Sequence, residues 1–124
     1  MLQPKYLYVA FILGVIGFQI ALTLGAPWGQ FTQGGIYPGV LPLPGRIVAA
    51  TSIIVLTGMA LAMLSASGSW PHWPRWTGWV ALLLQATTTT LNWITPSEAE
   101  RWLWGPITSA MLGLALIILL IRRS

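Results

Sequence analysis

Four polar residues in a largely apolar stretch carry the most suggestive spacing in this chain. Gln85, Thr88, Thr89 and Asn92 stand at i, i+3, i+4 and i+7, which puts two carboxamides and two hydroxyls on one face of a helix. Gln19 and Thr23 repeat the theme at i and i+4 in a separate apolar stretch. Groups of this kind donate and accept hydrogen bonds without titrating near neutral pH. Their chemistry is therefore orientation of a small neutral or lipidic molecule in an apolar cleft, with Gln19, Gln85, Thr89 and Asn92 as the ligand-facing set. The competing assignment, which the sequence favours, is that they join helices, each such bond contributing ~0.6 kcal/mol within a membrane.

Groups suited to catalysis or metal binding are scarce and dispersed. The chain has no cysteine, one histidine and two acidic residues, which removes disulfides, thiol nucleophiles and sulfur-ligated metals together. Glu98 and Glu100 are two apart, so their side chains diverge on a helix, and Ser97 with Glu100 matches a capping box. His72 sits between Pro71 and Trp73 in a short connector, as an interfacial residue would. With no nucleophile, base or ligand set converging, the expectation is a protein that is not an enzyme, with no catalytic and no metal-binding residues. No cofactor is indicated.

The elements that must position these residues are membrane spans. Of the 124 residues, 56% are hydrophobic and 6% charged, and the mean hydropathy is +0.75, so most of the surface must meet the lipid bilayer. Apolar runs of about 20 residues, the length that crosses a bilayer core, occupy positions 6-25, 47-66, 76-95 and 102-121. The expected fold is an all-α integral membrane protein: a single four-transmembrane-helix bundle. Between the first two spans, Pro38, Pro42, Pro44 and the Gly34-Gly35 pair make a Gly/Pro-rich loop, and the glycine pair is placed to close a short hairpin. The third span is the least apolar of the four, so its polar side chains predict a central position with little lipid contact. Pro106 predicts a kink in the fourth.

Orientation follows from the basic residues. Lys5, Arg75, Arg122 and Arg123 flank one side and Arg46 and Arg101 the other, which predicts N-in/C-in with the Gly/Pro-rich loop outside. The pI near 10.4 thus reflects topology, and no basic cluster larger than Arg122 and Arg123 exists to hold nucleic acid. Trp28, Trp93, Trp102 and Trp104 then mark the outer interface, and Trp70, Trp73, Trp76 and Trp79 the inner one. No Asp, Glu, Lys, Arg or His falls within the four runs, which argues against a proton- or cation-coupled transporter.

Small residues recur every four positions at Gly58, Ala62 and Ala66 and at Gly105, Ser109 and Gly113, permitting close helix approach within one chain or between two. The segment Gly25 to Gly29 (GAPWG), the Gly34-Gly35 pair, Leu41-Pro42 before Arg46, and Asn92 followed by Ser97, Glu100, Arg101, Trp104 and Pro106 resemble a group of small four-helix bacterial membrane proteins. The resemblance implies four spans and a bacterial cytoplasmic (inner) membrane, and brings no activity with it. Its matching positions cluster on the outer side, where loops on a rigid scaffold hold functional surfaces. Trp28, Arg46, Glu100 and Arg101 are the candidate interaction residues there, with Arg46 and Glu100 as partners across the loops. The first functional expectation is an accessory subunit of a larger complex or a homo-oligomer; the alternative is a binding protein or transporter for a small neutral or lipidic ligand.

Overall fold

The computed structural model describes residues 3–120. They form four helices, α1 (Pro4–Thr23), α2 (Leu43–Ala66), α3 (Trp76–Ile94) and α4 (Glu98–Leu120). Three of them, α1, α2 and α4, are long and apolar enough to cross a membrane, with 20, 24 and 23 residues; at 1.5 Å per residue each reaches ~30 Å or more. The exposed faces carry Leu13, Ile54, Leu83 and Leu120, as a lipid-facing surface requires. The chain is a membrane protein of all-helical fold. Ile121, the end of the expected fourth span, and the basic pair Arg122 and Arg123 lie outside the described residues.

The helix ends follow local chemistry. α2 begins at Leu43, four positions before the expected span, because Pro44 falls in its first turn. There the missing N–H has no helical partner to lose and the fixed φ already suits a helix. The Gly34-Gly35 pair does not close a hairpin, and no strand occurs among the described residues. Gln33, Gly34 and Gly35 all have positive φ, and the chain coils through two short 3-10 turns, Gly29–Phe31 and Gln33–Gly35.

Helices adjacent in sequence pack side by side, and α1 closes the ring against α4. One half of this ring is solid. Tyr8 and Ile12 of α1, Met59, Met63 and Ala66 of α2, Ala81 of α3, and Met111, Ala115 and Leu119 of α4 form a single buried cluster. Gly78 lets α3 approach α2, since a Cβ there would lie 2.9 Å from both the Ala66 Cβ and a Leu119 methyl. The same end is tied by basic side chains: Arg75 donates to the carbonyls of Ala66 and Leu119, and Lys5 to the Ser69 hydroxyl.

One expectation about packing changes. α3 is not central: Gly78, Ala81, Gln85 and Thr89 form one buried stripe, while Leu83, Thr87, Thr90, Leu91 and Ile94 are exposed. Thr87 and Thr90 tolerate this because their hydroxyls donate to the carbonyls of Leu83 and Ala86 one turn back, so neither needs a neighbouring helix. The small-residue stripes are largely spent inside the chain. Ala66 and Ala62 face Gly78, Gly105 lies under the Trp93 ring, and Ser109 accepts the Trp93 indole N–H at 2.8 Å. Gly58 and Gly113 remain open.

Candidate functional site

The other half of the ring is hollow, and its roof is the 24–42 connection. Gly25, at φ +107°, turns the chain off the end of α1. At Gly29 the backbone N–H donates to the Gly39 carbonyl at 2.8 Å, and a Cβ would lie 1.8 Å from the Tyr37 carbonyl oxygen, so only glycine fits the crossing. Leu41 buries itself with Leu22 and Ala49, beneath Phe18 and Tyr37, and pins the loop over the α1–α2 pair. From there the roof reaches across to α4. The Ser97 hydroxyl donates to the Gln30 carbonyl at 2.6 Å, the Trp104 indole N–H to the Phe31 carbonyl at 2.8 Å, and the Gly34 N–H to Glu100 Oε1 at 3.2 Å. Gln33 Nε2 completes the span by donating to the Gly45 carbonyl in the first turn of α2 at 2.9 Å.

Beneath this roof lies a cleft of about 560 Å³, within the range of small-molecule sites. Its walls come from all four helices: Val15 and Gln19 of α1, Ser52 of α2, Thr88, Leu91 and Asn92 of α3, and Glu100, Trp104 and Thr108 of α4. Phe31, Thr32, Gln33 and Gly34 close it above, beside Ile94, Thr95 and Pro96 from the α3–α4 connection. Amides and hydroxyls are thus mixed with aliphatic and aromatic surface. The side-chain amide oxygen of Gln19, Oε1, is buried with no hydrogen-bond partner, which for a neutral acceptor costs about 1–3 kcal/mol until a donor arrives.

The four intramembrane residues expected to face a ligand divide into two pairs. Gln85 and Thr89 belong to the α3–α4 seam. Gln85, 1% exposed, accepts the Tyr8 hydroxyl at 3.0 Å and donates to the Thr108 carbonyl at 3.3 Å, and the Thr89 hydroxyl meets the same carbonyl at 3.0 Å. Their polar valences are met by protein. Gln19 and Asn92 line the cleft instead, joined there by Thr88.

The four outer-surface candidates do not form one patch. Trp28 is partly exposed and stacks on Phe18 with ring centroids 6.0 Å apart. Arg46 turns its Nε to the Leu41 carbonyl at 2.9 Å, with its guanidinium against Gly25, and Arg101 donates to the Thr95 carbonyl at 2.8 Å. Glu100 is 7% exposed and faces the cleft. Arg46 and Glu100 therefore do not pair, because the roof amide of Gly34 takes the carboxylate and a loop carbonyl takes the guanidinium. The capping box is likewise half formed. The Ser97 hydroxyl accepts the Glu100 N–H at 3.2 Å, but the Ser97 N–H goes to Thr95 Oγ1, leaving the Glu100 side chain for Gly34.

Sequence spacing missed Ser52, Trp104, Thr108 and the roof residues as cleft wall. Each reads locally as helix interior, interfacial ring or loop, and only the tertiary arrangement brings them together. Comparison with family models, with curated proteins and with solved structures finds no match for this chain.

Proposed function

We propose that this protein is a non-enzymatic, multi-pass protein of a bacterial cytoplasmic membrane that binds a small lipidic molecule in the cleft between its helices. The observation that carries the reading is the 560 Å³ cleft lined by Gln19, whose buried side-chain oxygen Oε1 lacks a donor. A packed bundle of this size has no structural need for such a space, since the neighbouring half is filled solidly by the same helix types. The binding alternative drawn from the sequence thereby overtakes the accessory-subunit or homo-oligomer reading. Of the four residues offered for protein interaction, Arg46 and Arg101 are engaged within the chain and Glu100 faces the cleft, leaving Trp28 partly exposed; most of the small residues are spent inside the chain as well.

In this reading α3 crosses the membrane as the fourth span, supported by its neighbours α2 and α4 despite its lower hydropathy. Counted in the sequence, Lys5, Arg75, Arg122 and Arg123 outnumber Arg46 and Arg101, so the positive-inside rule turns the end that holds Lys5 and Arg75 to the cytoplasm and puts the cleft and its roof in the outer half. Native mass spectrometry of the protein released from its own membranes tests the site. Wild type should retain a defined small molecule, and Gln19→Leu and Asn92→Leu should lose it while melting no lower. Retention by all three proteins alike would refute the cleft as the binding site.

A further inference from the structure

The charge of the cleft narrows its ligand, on the reading that the cleft is a binding site. Glu100 stands on the wall, 7% exposed, with one backbone N–H at 3.2 Å as its side-chain partner. A carboxylate so withdrawn from water is costly unless a cation or several donors meet it. The basic side chains at this end of the molecule are spent on carbonyl oxygens, Arg46 on Leu41 and Arg101 on Thr95. Lys5 and Arg75 are held at the opposite end. No ion pair to Glu100 forms among the described residues.

Two other features of the wall suit a cation, beside its neutral amides and hydroxyls. The side-chain oxygen of Gln19 is an acceptor without a donor. Trp104 and Phe31 add aromatic rings, whose faces attract cations. We infer that the cleft takes an organic cation, a protonated amine on a compact apolar body, with the ammonium at Glu100 and the body against Val15, Leu91 and Trp104. Any second N–H or O–H donor of such a ligand is met by Gln19.

The test compares phenethylamine, cationic at neutral pH, with 2-phenylethanol, its neutral near-isostere, on the purified full chain in lipid nanodiscs by calorimetric titration, empty nanodiscs being subtracted. Wild type should bind the amine at least tenfold more tightly than the alcohol. Glu100→Gln, which keeps the shape and can still accept from Gly34, should bring the two to within about twofold. Equal binding of both probes by wild type would overturn the amine assignment while leaving the cleft as a binding site. Binding of neither at millimolar concentration would overturn the cleft reading along with it. A tenfold preference surviving in Glu100→Gln would place the selectivity elsewhere and also overturn the assignment. If Glu100→Gln does not fold, Gln19→Leu serves in its place. Weaker binding of both probes would seat them in the cleft whose wall holds Glu100 as its carboxylate, and unchanged binding would overturn the proposal.

Discussion

Replacing Gln85 with leucine separates a structural seam from a ligand site. Tyr8 is fully buried, and its hydroxyl has Gln85 Oε1 as its partner at 3.0 Å. Gln85→Leu removes that bond and the weaker one to the Thr108 carbonyl at 3.3 Å, which keeps Thr89 as a donor. Two membrane hydrogen bonds contribute ~0.6 kcal/mol each, whereas stranding the Tyr8 hydroxyl costs about 1–3 kcal/mol. Leucine returns part of this by burying apolar surface in place of an amide, for which ~1 kcal/mol is reasonable. The expected net loss is therefore about 1–2 kcal/mol. Tyr8→Phe should cost a similar amount by stranding the amide. The double variant leaves neither group polar, so it should lie close to wild type, and the coupling energy is then the sum of the two single losses, about 2–4 kcal/mol. Reversible unfolding in mixed micelles, followed by tryptophan fluorescence, measures all four proteins. If Gln85→Leu alone is as stable as wild type and the cycle is additive, Gln85 and Tyr8 do not hold each other and the seam is misread.

Three further outcomes follow from the same geometry. Gly105→Ala should destabilise by about 1–3 kcal/mol by overpacking, because its Cβ would sit 2.9–3.0 Å from three atoms of the Trp93 ring; Gly58→Ala, with nothing within 4 Å, should instead stabilise by about 0.5–1 kcal/mol, both read from the same unfolding curves. Gly29→Ala should displace the roof, since its Cβ would meet the Tyr37 carbonyl at 1.8 Å, and native mass spectrometry should then show loss of the retained small molecule. The absence of native cysteine makes single-cysteine reporters clean: with a membrane-impermeant maleimide on intact cells, Gln30→Cys should label and His72→Cys should label only after lysis. The reverse pattern would invert the proposed orientation.

What the sequence made legible was whatever a short window determines. Apolar runs located α1, α2 and α4 because lipid demands an unbroken apolar surface over a fixed length. They missed the first turn of α2, because Pro44 and Gly45 read as loop when a proline at a helix start is equally well accommodated. Helical spacing put Gln85, Thr88, Thr89 and Asn92 on a common face, but that face straddles a boundary. Gln85 and Thr89 turn to α4 while Thr88 and Asn92 turn to the cleft, and a rotation of a few tens of degrees about the helix axis is below what spacing resolves. Polarity likewise misjudged the burial of α3, since Thr87 and Thr90 satisfy themselves along the helix. Glu100 was singled out as an outer-surface residue, but its place on the cleft wall was hidden by a local rule. The capping box accounted for its side chain, so the contact with Gly34, 66 positions away, had no signature in the chain.

That contact gives the molecule a built-in reporter. Among the described residues the Gly34 amide is the one backbone donor to the carboxylate on the cleft wall, so anything that draws electron density from Glu100 must be felt at a single N–H. Glycine amides resonate apart from most others in the nitrogen dimension of a two-dimensional spectrum, and Gln33-Gly34 is the single Gln-Gly step in the sequence, so carbonyl-labelled glutamine with nitrogen-labelled glycine singles it out. Occupancy of the cleft thus becomes readable at the loop that roofs it, from one cross-peak.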